Sequence, residues 1–186
     1  MDTEAALEMS GVIAVLTGAD YKSDGLNAML AQGNPKDVEL FNRDSSPIHY
    51  PRIEPLVTDK IRRVGEAVAM VIAETPDQAQ DAVEEVVTEY DLLPSVVDQV
   101  DALREGAPQL WEDLPDNLCV DDQKGDVAKV VDVFSKAAHV VRMDLRNNRV
   151  SGVPMEPRAA VAEYDEQRDT YTLWAGGQGV NRFQRE

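Results

Sequence analysis

Glu66-Ala67-Val68-Ala69-Met70-Val71-Ile72-Ala73, running on through Glu74 into Thr75-Pro76-Asp77-Gln78, is the stretch that decides the fold. Eight residues of near-continuous apolar character predict a strand buried on both faces. Thr75 then caps a helix, Pro76 takes its first position, and Gln78 three residues on completes a capping box. Ala79, Ala82, Val83 and Val86 follow at i, i+3, i+4 and i+7, which is one apolar helical stripe. Val87-Thr88-Glu89-Tyr90 reads as a second strand that stops at Leu93-Pro94. The expectation is strand–helix–strand, with the helix packed on the sheet formed by its flanking strands.

Upstream, Thr3–Met9 reads as the last turns of a helix ended by Gly11, and Val12–Leu16 as a short buried strand between Gly11 and Gly18. Asp20–Asp59 carries Gly25, Gly33, Asn34-Pro35, Ser46-Pro47 and Tyr50-Pro51 with no sustained apolar period, and reads as mostly loop. A loop of that length drapes over a neighbour or has partners elsewhere. Downstream, Gly106–Asp122 is loop and Asp126 caps a helix whose Val127, Val130, Val131 and Phe134 repeat the apolar stripe. His139–Leu145, Ala159–Tyr164 and Thr170–Trp174 read as strands, separated by turns at Arg146-Asn147-Asn148 and Asp165-Glu166-Gln167. Helices and strands mixed without a βαβ repeat predict an α+β fold. A composition shift near Asp126 predicts two domains, 1–122 and 123–186.

The 186 residues carry a formal charge of −17 and a pI near 4.4. Nucleic-acid and anionic-membrane binding both need a basic face. The best candidate is the short run Lys60-Ile61-Arg62-Arg63, so neither partner is expected. Acidity here serves solubility. The single cysteine, Cys119, excludes an internal disulfide and fits a reducing compartment. Met1-Asp2-Thr3-Glu4-Ala5 has neither the basic nor the apolar region of a signal peptide, and no apolar run approaches the roughly 18 residues of a membrane helix. The expectation is a soluble, cytoplasmic protein.

Chemistry-bearing residues are sparse. His49 and His139 lack ligand neighbours at zinc spacing, so no metal ligand is expected within the chain. Cys119, between Leu118 and Val120, reads as a small buried hydrophobe. Ala175-Gly176-Gly177-Gln178-Gly179 follows a strand, yet it lacks the G-x-G-x-x-G spacing and a following βαβ unit. Its backbone can still approach a ligand closely, and Gln178 offers an amide donor and acceptor. An ordinary tight turn would account for the same glycines.

Arg63–Thr75, with Ala79, Ala82 and Tyr90-Asp91-Leu92-Leu93-Pro94, resembles the a/b hammerhead domain of the molybdenum-binding large subunit of the xanthine dehydrogenase/aldehyde oxidase family. The resemblance is closest to its carbon-monoxide-dehydrogenase-like branch. Gly11–Asp20 is similar to the segment before it. Gly125-Asp126-Val127, Pro154-Met155-Glu156-Pro157-Arg158-Ala159 and Leu173–Gly179 resemble the opening of the next, first molybdopterin-binding domain. The resemblance spans nearly the whole chain in order. It departs in two places: the family's opening hammerhead strands are absent, and so is everything past Glu186, including a glycine-rich Phe-containing segment and the glutamate base. The chain is therefore expected to be a truncated piece of a larger enzyme, with no catalytic residue of its own.

The resemblance implies hydroxylation with water as the oxygen source, of an aldehyde, an N-heterocycle or a CO-like small molecule. It implies a molybdopterin cytosine dinucleotide cofactor and electron transfer to iron–sulfur and FAD subunits or domains. Gln178 matches the glutamine whose amide hydrogen-bonds an oxygen ligand of molybdenum, with Gly177 and Gly179 admitting the backbone to the cofactor. Glu156 and Arg158 are expected to pair structurally. The isolated chain is expected to be inactive and free of molybdenum. Two alternatives stay open: an assembly module meeting a partner through Asp20–Asp59, and a small hydrolase or isomerase using Glu156 and Asp165.

Overall fold

Gly11 turns the chain into its first strand with a φ of +81°, and its carbonyl accepts the Glu74 N–H at 2.9 Å. That bond joins β1 (Val12–Thr17) to β4 (Ala69–Ala73), which run antiparallel with Ala14 opposite Ile72 and Leu16 opposite Met70. The structure is a computed structural model and describes residues 1–30, 39–114, 116–148, 150, 152–177 and 179–183. Two units divide it, Met1–Lys124 and Gly125–Glu186. The first also holds α1 (Glu4–Leu7), α2 (Gly18–Ser23), β2 (Met29–Leu30), β3 (Arg52–Ile53), α3 (Pro76–Glu84) and a 3-10 turn at Asp101–Leu103. The second holds α4 (Val127–Lys136), β5 (Ala160–Asp165), β6 (Thr170–Ala175) and α5 (Val180–Phe183).

α1 and α3 cover one face of the β1–β4 pair. Ala6 and Ala82 are 0% exposed and Val15 is 8% exposed, with Met9, Val12, Val71 and Val86 packed around them. Single-methyl side chains let the helix backbones come close to the strands, and a larger side chain there must displace its neighbours. α3 begins as expected. Thr75 Oγ1 accepts the Gln78 N–H at 3.3 Å. The box closes through the side chains instead of the Thr75 N–H, because the Thr75 hydroxyl donates to Gln78 Oε1 at 3.0 Å.

An α+β fold is what forms, with four differences from the sequence reading. The strand at Glu66–Ala73 is only Ala69–Ala73, and it is buried on one face: Met70 and Ile72 are exposed while Ala69, Val71 and Ala73 are half-buried. An antiparallel pair with helices on one side leaves its other side open. Val87–Tyr90 is not a strand. Only Val87 pairs, exchanging backbone hydrogen bonds of 2.8 and 3.0 Å with Asp2. β4 takes β1 as its neighbour, so α3 packs on its preceding strand and β1, not on a sheet that β4 forms with the segment after the helix.

Asp20–Asp59 contains α2, β2 and β3 besides loop, and its residues 31–38 lie outside the described residues. Asp20 Oδ2 accepts both the Thr17 hydroxyl and the Thr17 N–H at 2.7 Å, which starts α2. His139–Leu145 is exposed and forms no strand, since none of the described residues offers it a ladder partner.

The loops are held by long-range polar bonds. Asn42 Oδ1 accepts the Asp121 N–H at 2.8 Å, the Arg43 N–H donates to the Asp121 carbonyl at 2.9 Å, and Arg43 Nη2 lies 2.8 Å from Asp121 Oδ2. Asn117, at φ +57°, donates to the Ala102 and Pro108 carbonyls, both at 3.0 Å.

Ala82→Leu should destabilise the first unit by about 1–3 kcal/mol through overpacking, read as a lower urea midpoint; an unchanged midpoint contradicts the packing. A second outcome concerns pH. The Thr17 hydroxyl and N–H hold the Asp20 carboxyl below the ordinary range, and the Lys129 N–H does the same for Asp126. A lowered folded pKa stabilises above the unfolded value, and that contribution disappears as pH falls through the folded value, below about 4. Asp20→Asn and Asp126→Asn should therefore flatten the loss of melting temperature in that acid window. Curves as steep as wild type would contradict the assignment.

Candidate functional site

Six paired residues carry the chain to the Gly-Gly-Gln-Gly stretch. β5 and β6 pair antiparallel from Asp165 opposite Thr170 to Ala160 opposite Ala175, with Val161 facing Trp174. The turn end is fixed by polar bonds. Asp165 Oδ1 accepts the Gln167 N–H at 3.0 Å and the Arg168 N–H at 3.1 Å, and Asp169 adopts φ +51°. The Tyr164 hydroxyl donates to Asp169 Oδ1 at 2.8 Å, and this bond raises its pKa above the ordinary tyrosine range. The Tyr164 and Tyr171 rings stack at 4.6 Å. A hairpin anchored at its turn presents its other end, Trp174–Gly177, in a defined direction.

Gly176 and Gly177 leave β6 in exposed, irregular backbone. A Cβ on Gly176 would meet nothing within 4 Å. Gly179 has φ +116° and similarly open surroundings before α5 begins. Gly179 is thus a conformational requirement, whereas Gly176 marks free space beside the main chain. Gln178, the side chain singled out from sequence, lies outside the described residues. A large organic cofactor fits such a stretch, because bare backbone can be approached without a side chain intervening.

The other sequence candidates fall elsewhere. Glu156 and Arg158 are exposed, and the Asp165 carboxylate is engaged in its own turn, so the paired-carboxylate site finds no support in their placement. Cys119 is half-buried, and burial, with Asp116 second, pushes its thiol pKa up, away from reactivity. His139 is exposed. His49 is half-buried, its ring 6.4 Å from that of Trp111 and its Nδ1 4.0 Å from Asp113, while its Nε2 is buried without a hydrogen-bond partner.

The basic run is engaged internally. Lys60 donates to the Gln109 carbonyl, Arg62 to the Leu110 carbonyl, and Arg63 pairs with Glu66. The Arg43–Asp121 and Asn42–Asp121 bonds escaped sequence reading because nothing local connects residues nearly eighty positions apart. Among the described residues no group of three or more His, Cys, Asp and Glu could hold a metal ion, and no helix is long and apolar enough to cross a membrane.

Two family descriptions match the chain in order. "Aldehyde oxidase and xanthine dehydrogenase, a/b hammerhead domain" covers residues 1–94, and "Molybdopterin cofactor-binding domain" covers residues 110–186. The chain is 33% identical to the 6-hydroxypseudooxynicotine dehydrogenase complex subunit gamma of Paenarthrobacter nicotinovorans, over 94% of this chain and 21% of that protein. It is 34% identical to the carbon monoxide dehydrogenase large chain of Hydrogenophaga pseudoflava, over 94% of this chain and 21% of that one. A solved Cu,Mo-CO dehydrogenase in its carbon monoxide reduced state superposes with a TM-score of 0.76 at 28% identity, covering 99% of this chain and 23% of that chain. The chain thus spans about a fifth of the length of the curated relatives it matches. These matches bear out the resemblance carried by Arg63–Pro94 and Leu173–Gly179.

Gly179→Ala should strain the backbone by about 1–3 kcal/mol. The loss should be local: amide NMR shifts of Val180–Phe183 should lose helical character while those of the β5–β6 ladder persist. Unchanged shifts at Val180–Phe183 would contradict the strain.

Proposed function

We propose that this chain, which belongs to the aldehyde oxidase and xanthine dehydrogenase family, forms the hammerhead domain and the opening of the molybdopterin-binding domain of a molybdenum hydroxylase large subunit. The domains divide as 1–122 and 123–186. The observation that carries the reading is the ordered pair of family matches, with β6 ending in open glycine backbone inside the second. The parting of the two units after Lys124 supports the boundary.

The bound cofactor is molybdopterin in its cytosine dinucleotide form, and when bound it supplies two-electron hydroxylation with water as the oxygen source. This chain contributes positioning. Gly177 and Gly179 admit the cofactor to the main chain, and the Gln178 amide donates a hydrogen bond that orients and tunes the metal site without ligating it. The first unit carries no part of the chemistry. The substrate is an aldehyde, an N-heterocycle or a CO-like small molecule, and electrons leave to iron–sulfur and FAD partners. The enzyme works in the cytoplasm, as the single unpaired cysteine supports. The 186 residues alone are inactive and hold no molybdenum, because one neutral amide cannot retain a metal complex.

In the full-length polypeptide with its partners, Gln178→Ala should lower kcat about 10- to 100-fold with molybdenum content kept near wild type. Full activity in that variant contradicts the role of Gln178. Stoichiometric molybdopterin on the purified 186 residues would contradict the expected emptiness of the isolated chain.

A further inference from the structure

The charge of the chain is divided very unevenly. Gly125–Glu186 has nine Lys and Arg against nine Asp and Glu, so it is neutral and the whole −17 resides on Met1–Lys124. Within the neutral unit, apolar side chains also lack cover. On α4, Asp126 caps the helix by accepting the Lys129 N–H at 3.0 Å. The polar face is closed by its own ion pairs, Lys129–Asp126 at 3.1 Å and Lys136–Asp132 at 2.6 Å. The opposite stripe is bare: Val131 is 62% exposed and Phe134 is 58% exposed.

With Val130, Ser135, Val140 and Arg142 these side chains line an open cleft of about 680 Å³. Among the described residues no carboxylate pairs with Arg142, although the charged side chains on the polar face of α4 are all matched. The cleft therefore combines four apolar side chains and the Ser135 side chain with a guanidinium that no described carboxylate matches.

We propose that this cleft seats an apolar segment bearing one carboxylate, supplied by the remainder of the same large-subunit polypeptide. The proposal rests on the functional reading above. Three observations choose that occupant. The chain spans only 21% of relatives such as the Hydrogenophaga pseudoflava large chain, so most of such a polypeptide lies outside these residues. A neutral, apolar face resembles a permanent interface, a core cut in two, more than a surface steered to a separate subunit by charge. The unmatched guanidinium asks for one planar anionic partner, and a carboxylate answers it with paired hydrogen bonds. The same docking accounts for His139–Leu145: a segment seated against Val140 and Arg142 brings the backbone partner that this apolar stretch lacks.

The test uses the full-length large subunit, unmodified, by hydroxyl-radical footprinting with peptide mass spectrometry. Phe134 and Val131 should oxidise at least about tenfold more slowly than exposed side chains of their type, while Lys129 and Lys136 remain open to acetylation. Arg142→Glu should restore oxidation of Phe134, and Arg142→Lys should not. Fast oxidation of Phe134 in the unmodified subunit overturns the proposal. So does protection that rises with protein concentration, which indicates a second copy, or that appears only when a partner subunit is added. Protection indifferent to Arg142→Glu overturns the carboxylate. Molybdenum measured in the same sample separates the two readings: a loaded subunit with Phe134 exposed sinks the docking alone, and an empty one with Phe134 protected sinks the functional assignment alone.

Discussion

The antiparallel register of β1 and β4 is the constraint on which the first unit depends. Fifty-one residues separate the two strands, so nothing local selects their pairing; the contact of Ala6 and Ala82 over Val15 does. Both alanines are fully buried, and only methyl-sized side chains let α1 and α3 lie on the same strand pair. Once that face is closed, Gly11 must turn at positive φ to bring its carbonyl to Glu74, and Val87 is left to pair with Asp2 at the margin. The long loops are then held by side chains, with Asn42, Arg43 and Asn117 replacing the ladder bonds that a larger sheet would provide.

What was legible in the sequence is what short-range physics determines. Thr75 and Asp126 cap helices because each places an oxygen beside an N–H three residues on, a rule that needs no tertiary partner. The β5–β6 hairpin was readable because its Asp165-to-Thr170 turn joins residues adjacent in sequence. α2 also carried a readable signal, since Thr17 and Asp20 stand at capping-box spacing; the glycines and prolines after it masked that pattern. Val87–Tyr90 and His139–Leu145 misled because strand identity depends on a neighbour, and apolar residues alone do not provide one. The half-open face of β4 followed from the same limit: a continuous apolar run does not say whether one side or two will be covered.

The site was legible in a different way. Glycine spacing at Gly176-Gly177-Gln178-Gly179 was compatible with an ordinary turn, and the structure by itself shows an anchored hairpin with open backbone at its far end. Family membership gives that geometry its meaning. Charge divides between the units: the first carries the whole −17, and the second is neutral, with an apolar helix face exposed and, among the described residues, no carboxylate paired with Arg142.

The most direct measurement is molybdenum-edge anomalous diffraction from crystals of the full-length polypeptide. A molybdenum peak is expected beside the Ala175–Gly179 backbone, with the Gln178 amide directed at the metal's oxygen ligand. A peak remote from that stretch, or Gln178 directed away from it, would contradict the placement of the cofactor there.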